Sequence, residues 1–121
     1  MDIKCLDTYA LVEIHNENPK FRHLINQEFV VPNSIMAEFY GVLLRDYNEK
    51  TEEYIFKELK TFLITEDINI LTKAVKFRKE HKKKNLSFFD CVGYIFAKEN
   101  KMKFVTGDKE FENLPYVEFI K

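Results

Sequence analysis

Four acidic residues fall where their chemistry demands an explanation. Asp7 closes the apolar run "DIKCLD", and Asp108 follows "KFVTG", so each stands just past the carboxyl end of an expected strand. Glu38 shares a helical stripe with Ile35 and Val42, and Asp90 is embedded in the apolar segment "SFFDCVGYIFAKEN". A buried carboxylate without a partner either costs several kcal/mol or neutralises itself through a raised pKa. No lysine or arginine lies one turn from Asp90, and one divalent cation is a partner that can serve all four acids. Hard oxygen ligands, with no histidine or thiol pattern beside them, favour Mg2+ or Mn2+ over zinc.

Three of the acids also have a purely structural use, and Glu38 can lie on an exposed edge of its helix. Asp7 can cap the helix that follows it, and Ser87 with Asp90 fits a capping box. Asp108 suits a turn after Gly107. Glu38 has no such local role on its stripe. It is the joint placement, two acids at strand ends and two on helices leading to the same crevice, that favours a cation site.

The elements that must position these acids alternate. "DIKCLD", "EFVV", "FLIT", "KFVT" and "YVEFI" read as strands. "TYALVEIH" reads as a helix, "NPKFRHLIN" as a second, and a long third is capped by Asn33 or Ser34 and runs to about Tyr47 with Met36, Phe39, Tyr40 and Leu43 inward. "KTEEYIFKELKTFL" is a surface helix on Ile55, Leu59 and Phe62, with Glu53 paired to Lys57. Asp67 caps a helix holding Ile70, Leu71, Ala74, Val75 and Phe77, which ends in the basic run His81 to Lys84, read as a solvated helix end that can also hold phosphates. "SFFDCVGYIFAKEN" is apolar on nearly every face and should be buried, and Gly93 and Ala97 share the face of Asp90. The expected fold is a three-layer α/β/α sandwich with a mostly parallel sheet of four to five strands, spanning residues 1–121 as one domain. In such sheets the functional crevice lies beyond the carboxyl ends of the strands.

Composition narrows the classes. Of 121 residues, 45% are hydrophobic and 12 are Phe, enough for a substantial core. Lys plus Arg is 19 and Asp plus Glu is 20, a net charge of -1, so any contact with nucleic acid must be local or assisted by a metal. Cys5 and Cys91 sit in apolar runs and read as reduced core residues of a cytoplasmic protein. No apolar stretch reaches membrane-spanning length and no leader is expected.

The ordered set "CLDTYAL", "MAEFYG", "LSFFDCVGYIFA" and "FVTGDKEF" resembles the PIN domain, and within it the VapC-type ribonuclease toxins of toxin–antitoxin pairs. An S-x-x-D helix start followed by a T-x-D turn is its most specific part. The resemblance implies a metal-dependent endoribonuclease that leaves 3′-hydroxyl and 5′-phosphate ends, using Mg2+ or Mn2+. It makes Asp7, Glu38, Asp90 and Asp108 the catalytic, metal-holding acids, with Thr8, Thr106 and Lys109 as substrate contacts and Glu110 a weaker fifth acid. It further implies an RNA substrate, a cognate antitoxin and a homodimer, with exposed aromatics such as Tyr47, Tyr54 and Phe56 as contact surfaces. Tyr9 departs from the family, which commonly has Ser or Asn there. A stand-alone PIN nuclease of RNA processing, or an inactive PIN fold that binds proteins, shares these features. Receiver domains and haloacid-dehalogenase-type phosphatases do not: the first needs an acidic pair by its first strand and the second an Asp two residues after the nucleophile, where this chain has Tyr9.

Overall fold

The computed structural model describes residues 3–48 and 50–121; Asp2 of the first expected strand lies outside them. β1 (Lys4–Leu6) is the central strand, with Cys5 beside Val30 of β2 (Phe29–Pro32) on one side and Phe104 of β4 (Lys103–Thr106) on the other. β3 (Leu63–Ile64) extends the sheet past β2, and β5 (Val117–Phe119) extends it past β4. The order is β3-β2-β1-β4-β5, and every pair is parallel. The helices are α1 (Thr8–His15), α2 (Asn33–Asp46), α3 (Thr51–Leu59), α4 (Ile68–Glu80) and α5 (Phe88–Glu99). The architecture is the expected α/β/α sandwich.

α5 explains its own composition. It packs on β1, β2 and β4 while α4 and α2 lie against its other sides, so Cys91 through Ile95 are all buried. A methyl group at Gly93 would sit 2.6 Å from both Ile35 Cδ1 and Phe104 Cε1, so glycine is what lets α5 approach α2 and β4. Close packing accounts for Gly93. The phenylalanines have a related use. Tyr94, Phe104 and Phe111 meet with ring centroids 5.4–6.2 Å apart, tilted or edge to face, and Phe77 joins Tyr94 at 5.3 Å. Phe111 is fully buried, and it anchors the turn that carries Asp108.

Several expectations are corrected. Residues Pro19–Asn26 form a 3-10 helix rather than an α-helix, entered through an Asn18 side-chain cap with proline at its start. Neither Asn33 nor Ser34 caps α2. The helix begins at Asn33 itself, whose Nδ2 donates to Thr65 Oγ1 at 3.1 Å, while the Ser34 amide donates to Glu66 Oε2 at 3.1 Å. A carboxylate brought from the β3–α4 connection thus does the capping, favoured there by the helix dipole. Phe62 leaves the α3 stripe for a 3-10 turn and stacks on Phe29, centroids 4.4 Å apart. Val75 lies on α4 as expected and is 57% exposed. Tyr47 is half-buried, donating from its hydroxyl to Asn16 Oδ1 at 2.7 Å and packing edge-on against His15, so it is not a surface aromatic. Cys5 and Cys91 are free and buried, as expected, and burial pushes the Cys91 thiol up to about 11.

Candidate functional site

β1 and β4 are neighbours, so the residues following them emerge side by side. The Asp7 amide donates to Val105 O at 3.2 Å, which locks the end of β1 to β4. Around this point opens a cleft of about 720 Å3, lined by Asp7, Thr8 and Tyr9, by Glu38, Gly41, Val42 and Arg45 of α2, by Ser87 and Asp90, and by Gly107, Asp108 and Lys121. All four singled-out acids line it. Thr8 lines it too. Lys109 does not, standing exposed on the 3-10 turn Lys109–Phe111, and the Glu110 side chain is also outside the lining.

The structural roles and the clustering coexist. Asp7 Oδ1 accepts from the Ala10 amide at 2.7 Å and caps α1. Asp108 Oδ1 accepts from the Glu110 amide at 3.0 Å. The Asp90 amide donates to Ser87 Oγ at 3.0 Å, which starts α5. Capping therefore fixes where Asp7, Asp90 and Asp108 stand, and all three still line the cleft. The two threonines act behind the acids. Thr8 Oγ1 donates to Glu38 Oε1. Thr106 is fully buried and accepts from the Asp108 amide at 3.1 Å, and its hydroxyl opposes the rise in the Asp7 pKa, so it stands between two of the acids and is closed off from solvent.

The acids are electrostatically crowded. Among the described ion pairs none involves Asp7, Glu38, Asp90 or Asp108. Asp7 is 1% exposed, and burial followed by the charge of Asp90 pushes its carboxyl up to about 8 against the hydrogen bonds from Thr106 and Ala10. Asp90 is pushed up to about 6, first by burial and then by Glu38, with Asp108 adding to it. Arg45 is the nearest arginine of the lining, but its guanidinium is engaged by Asp46, Nε to Oδ1 at 2.8 Å.

Whether these residues suit a metal is a question of donor chemistry. Among the described residues, no three His, Cys, Asp or Glu side chains stand together as a ready-made chelate. A zinc cage is thereby disfavoured, since it closes on three or four protein ligands. Mg2+ keeps much of its water and takes one or two carboxylates, which is what an open cleft with spaced, cation-free carboxylates can supply. The residues fit a hydrated hard cation.

The sequence departure at Tyr9 has a steric counterpart. A methyl group at Gly107 would lie 2.3 Å from Tyr9 Cε1, so the ring occupies the place of a side chain at the centre of the Thr-Gly-Asp turn. Gly107 does not have a positive φ, and what it provides is room. Tyr9 also packs on Phe21, centroids 5.9 Å apart. Sequence reasoning missed Gly41, Val42 and Arg45 as lining residues, although they follow Glu38 at helical spacing and share its face.

A PIN domain family model matches residues 4–115. The chain belongs to the PIN domain family. Solved structures agree on the fold. A toxin–antitoxin complex from Klebsiella pneumoniae superposes with a TM-score of 0.78 at 18% identity, covering 95% of each chain. The Mycobacterium tuberculosis toxin VapC20, described as cleaving the sarcin–ricin loop, gives 0.78 at 15% identity over 98% of this PIN domain and 99% of that chain. VapBC2 from Rickettsia felis, bound to a fragment of promoter DNA, gives 0.77 at 16% identity over the same shares. No curated protein matches the sequence. Among the described residues of this PIN domain, no helix is long and apolar enough to cross a membrane.

Proposed function

We propose that this PIN domain is a divalent-metal-dependent endoribonuclease and the toxin of a VapBC-type toxin–antitoxin pair. One observation carries the reading: four carboxylates from four separate segments line one cleft beyond the strand ends, and none of them is in an ion pair among the described residues. Such crowding is costly unless a cation relieves it. Family membership and the fold shared with VapC proteins support the same conclusion.

Asp7, Asp90, Asp108 and Glu38 would hold Mg2+ or Mn2+, which supplies charge to activate a water and to stabilise the leaving oxyanion. The chain's own residues prepare for that. Thr106 fixes the Asp7 carboxyl, and Thr8 holds one oxygen of Glu38 while the other oxygen can accept a hydrogen bond from the attacking water. Attack of the water at phosphorus would break the bond to the 3′ oxygen, the water's proton passing to Glu38 or to solvent. The 3′ oxygen takes up a proton from solvent to become a hydroxyl, and the phosphate stays on the 5′ oxygen of the downstream fragment. Thr8 and Lys109 are substrate contacts in this reading.

The partner proposed is a cognate antitoxin, as in the toxin–antitoxin complexes that share the fold. An apolar groove of about 490 Å3 lined by Met36, Ala37, Tyr40, Phe56 and Leu63 offers it a surface, with Tyr54 64% exposed nearby on α3. The same reading includes a homodimer and action in the cytoplasm.

The test is cleavage of total RNA by the purified protein with Mg2+ or with EDTA, followed by mapping of the new 5′ ends. The expected result is 5′-phosphate ends that require the ion. Cleavage undiminished in EDTA refutes the role of the metal, and no cleavage under any divalent ion refutes the enzyme.

A further inference from the structure

The candidate cleft is poor in usable positive charge. Four carboxylates line it, against Arg45, already engaged by Asp46, and Lys121. RNA is a polyanion, and its binding strength comes mainly from cations placed against phosphates. The cations that hold it must lie beside the cleft.

A second cavity, of about 440 Å3, meets that need. It is lined by Arg78, Lys79, Lys82, Lys84, Leu86 and Phe88, among others, and no acidic residue belongs to its lining among the described residues. The basic run does not trail into solvent as a frayed helix end. α4 stops at Glu80, and residues 81–84 fold into a turn in which the Lys84 amide donates to His81 O at 2.8 Å. His81 Nδ1 lies 2.9 Å from Phe77 O and its ring stacks on Phe77, centroids 4.1 Å apart. Arg78 Nε donates to Leu86 O at 2.9 Å, pinning α4 to the start of α5.

Two links join this cavity to the cleft. Ser87 lines the cleft and its chain neighbour Phe88 lines the basic cavity, so the first turn of α5 is their common wall. Lys84 Nζ donates to Glu110 O at 2.9 Å, which ties the basic turn to the segment directly after Asp108. Lys79 and Lys82 are exposed, and neither side chain takes part in an ion pair among the described residues. Phe88 adds an apolar ring on which a base can stack.

We infer that the cavity framed by Arg78, Lys79, Lys82, Lys84 and Phe88 is a subsite that grips the phosphates of the RNA strand flanking the scissile bond. The inference rests on the nuclease reading for the identity of its ligand. Arg78 and Lys84 hold the cavity in shape through their backbone acceptors, while Lys79 and Lys82 supply the mobile charge. The contact is to the backbone, so it gives affinity without sequence preference.

The experiment measures binding of a fluorescent single-stranded RNA by anisotropy, in EDTA so that nothing is cut, over a series of salt concentrations. The double substitution Lys79→Gln with Lys82→Gln should weaken binding about tenfold and lower the slope of log K against log salt by about one, equally for unrelated RNA sequences. Lys98→Gln with Lys101→Gln removes the same charge from the far end of α5 and should change neither quantity. Equal losses in the two double variants, or none in the first, overturn the subsite. Tighter binding there of an acidic peptide of matched charge also overturns it. Cleavage by the wild type in Mg2+ is scored separately. A wild type that cuts no RNA yet loses binding through Lys79 and Lys82 leaves the subsite standing and removes the nuclease.

Discussion

Glu118 on β5 and Asp7 at the end of β1 are both acids packed against the sheet, and they differ in company. Glu118 receives Lys4 Nζ at 2.5 Å and His23 Nε2 at 3.1 Å, and although burial opposes it, those partners hold its carboxyl below the usual carboxylate range. Asp7, three positions along the chain from Lys4, has hydrogen bonds but no cation, and its carboxyl is pushed up to about 8. An acid that the fold has already paired is structural. One that the fold buries and leaves without a counter-charge among the described residues is a candidate functional position.

The sharpest way to break this contrast is catalytic. Asp7→Asn should reduce RNA cleavage at least about a hundredfold, more than is lost when only a supporting neighbour of a metal ligand is changed. Glu118→Gln should stay within about threefold, and equal losses measured on one RNA substrate would erase the distinction. Next in size is linkage to the ion: Mn2+ at about one hundred times its Kd should stabilise the wild type by about 2.7 kcal/mol, seen as a raised melting temperature. Asp7→Asn combined with Asp90→Asn should show no such rise.

A third prediction concerns the wall of the cleft. Gly107→Ala drives a methyl group into the Tyr9 ring and should cost about 1–3 kcal/mol in urea unfolding. Adding Tyr9→Ser should recover part of that loss. The remaining contrast is in pH. Asp7 binds its proton more tightly folded than unfolded, so its contribution to stability is complete below its ordinary value of 3.8 and is lost as pH rises through about 8. Glu118 behaves oppositely, its contribution present above the ordinary carboxylate range and lost on acidification. In metal-free protein, thermal melts between pH 5 and pH 8 should therefore show a decline that Asp7→Asn reduces, most of all above about pH 6, where the raised Asp90 carboxyl no longer adds to it, and that variant should melt above the wild type at pH 8. Glu118→Gln should leave the decline in place.

What the sequence disclosed follows from the range of the interactions involved. Strand ends at Leu6 and Thr106, the apolar helix of Cys91 to Ile95 and the helix of Glu38 are written in local periodicity, and the acids stand out because they interrupt it. The gathering of Asp7, Glu38, Asp90 and Asp108 about one cleft was legible because parallel topology brings strand ends together. Features set by distant contacts were not. Nothing near Ser34 announces that Glu66 will cap its helix, and nothing near Tyr47 announces Asn16. The basic run at 81–84 looked like an exposed tail because its acceptor, the Glu110 carbonyl, is a backbone atom that no side-chain pattern reports.

The Tyr9 and Gly107 pair couples two distant stretches of the chain. A ring filling the space of a missing side chain makes each position a condition on the other. Any side chain at 107 requires the ring at 9 to move or shrink, so the costs of changing the two positions should not simply add.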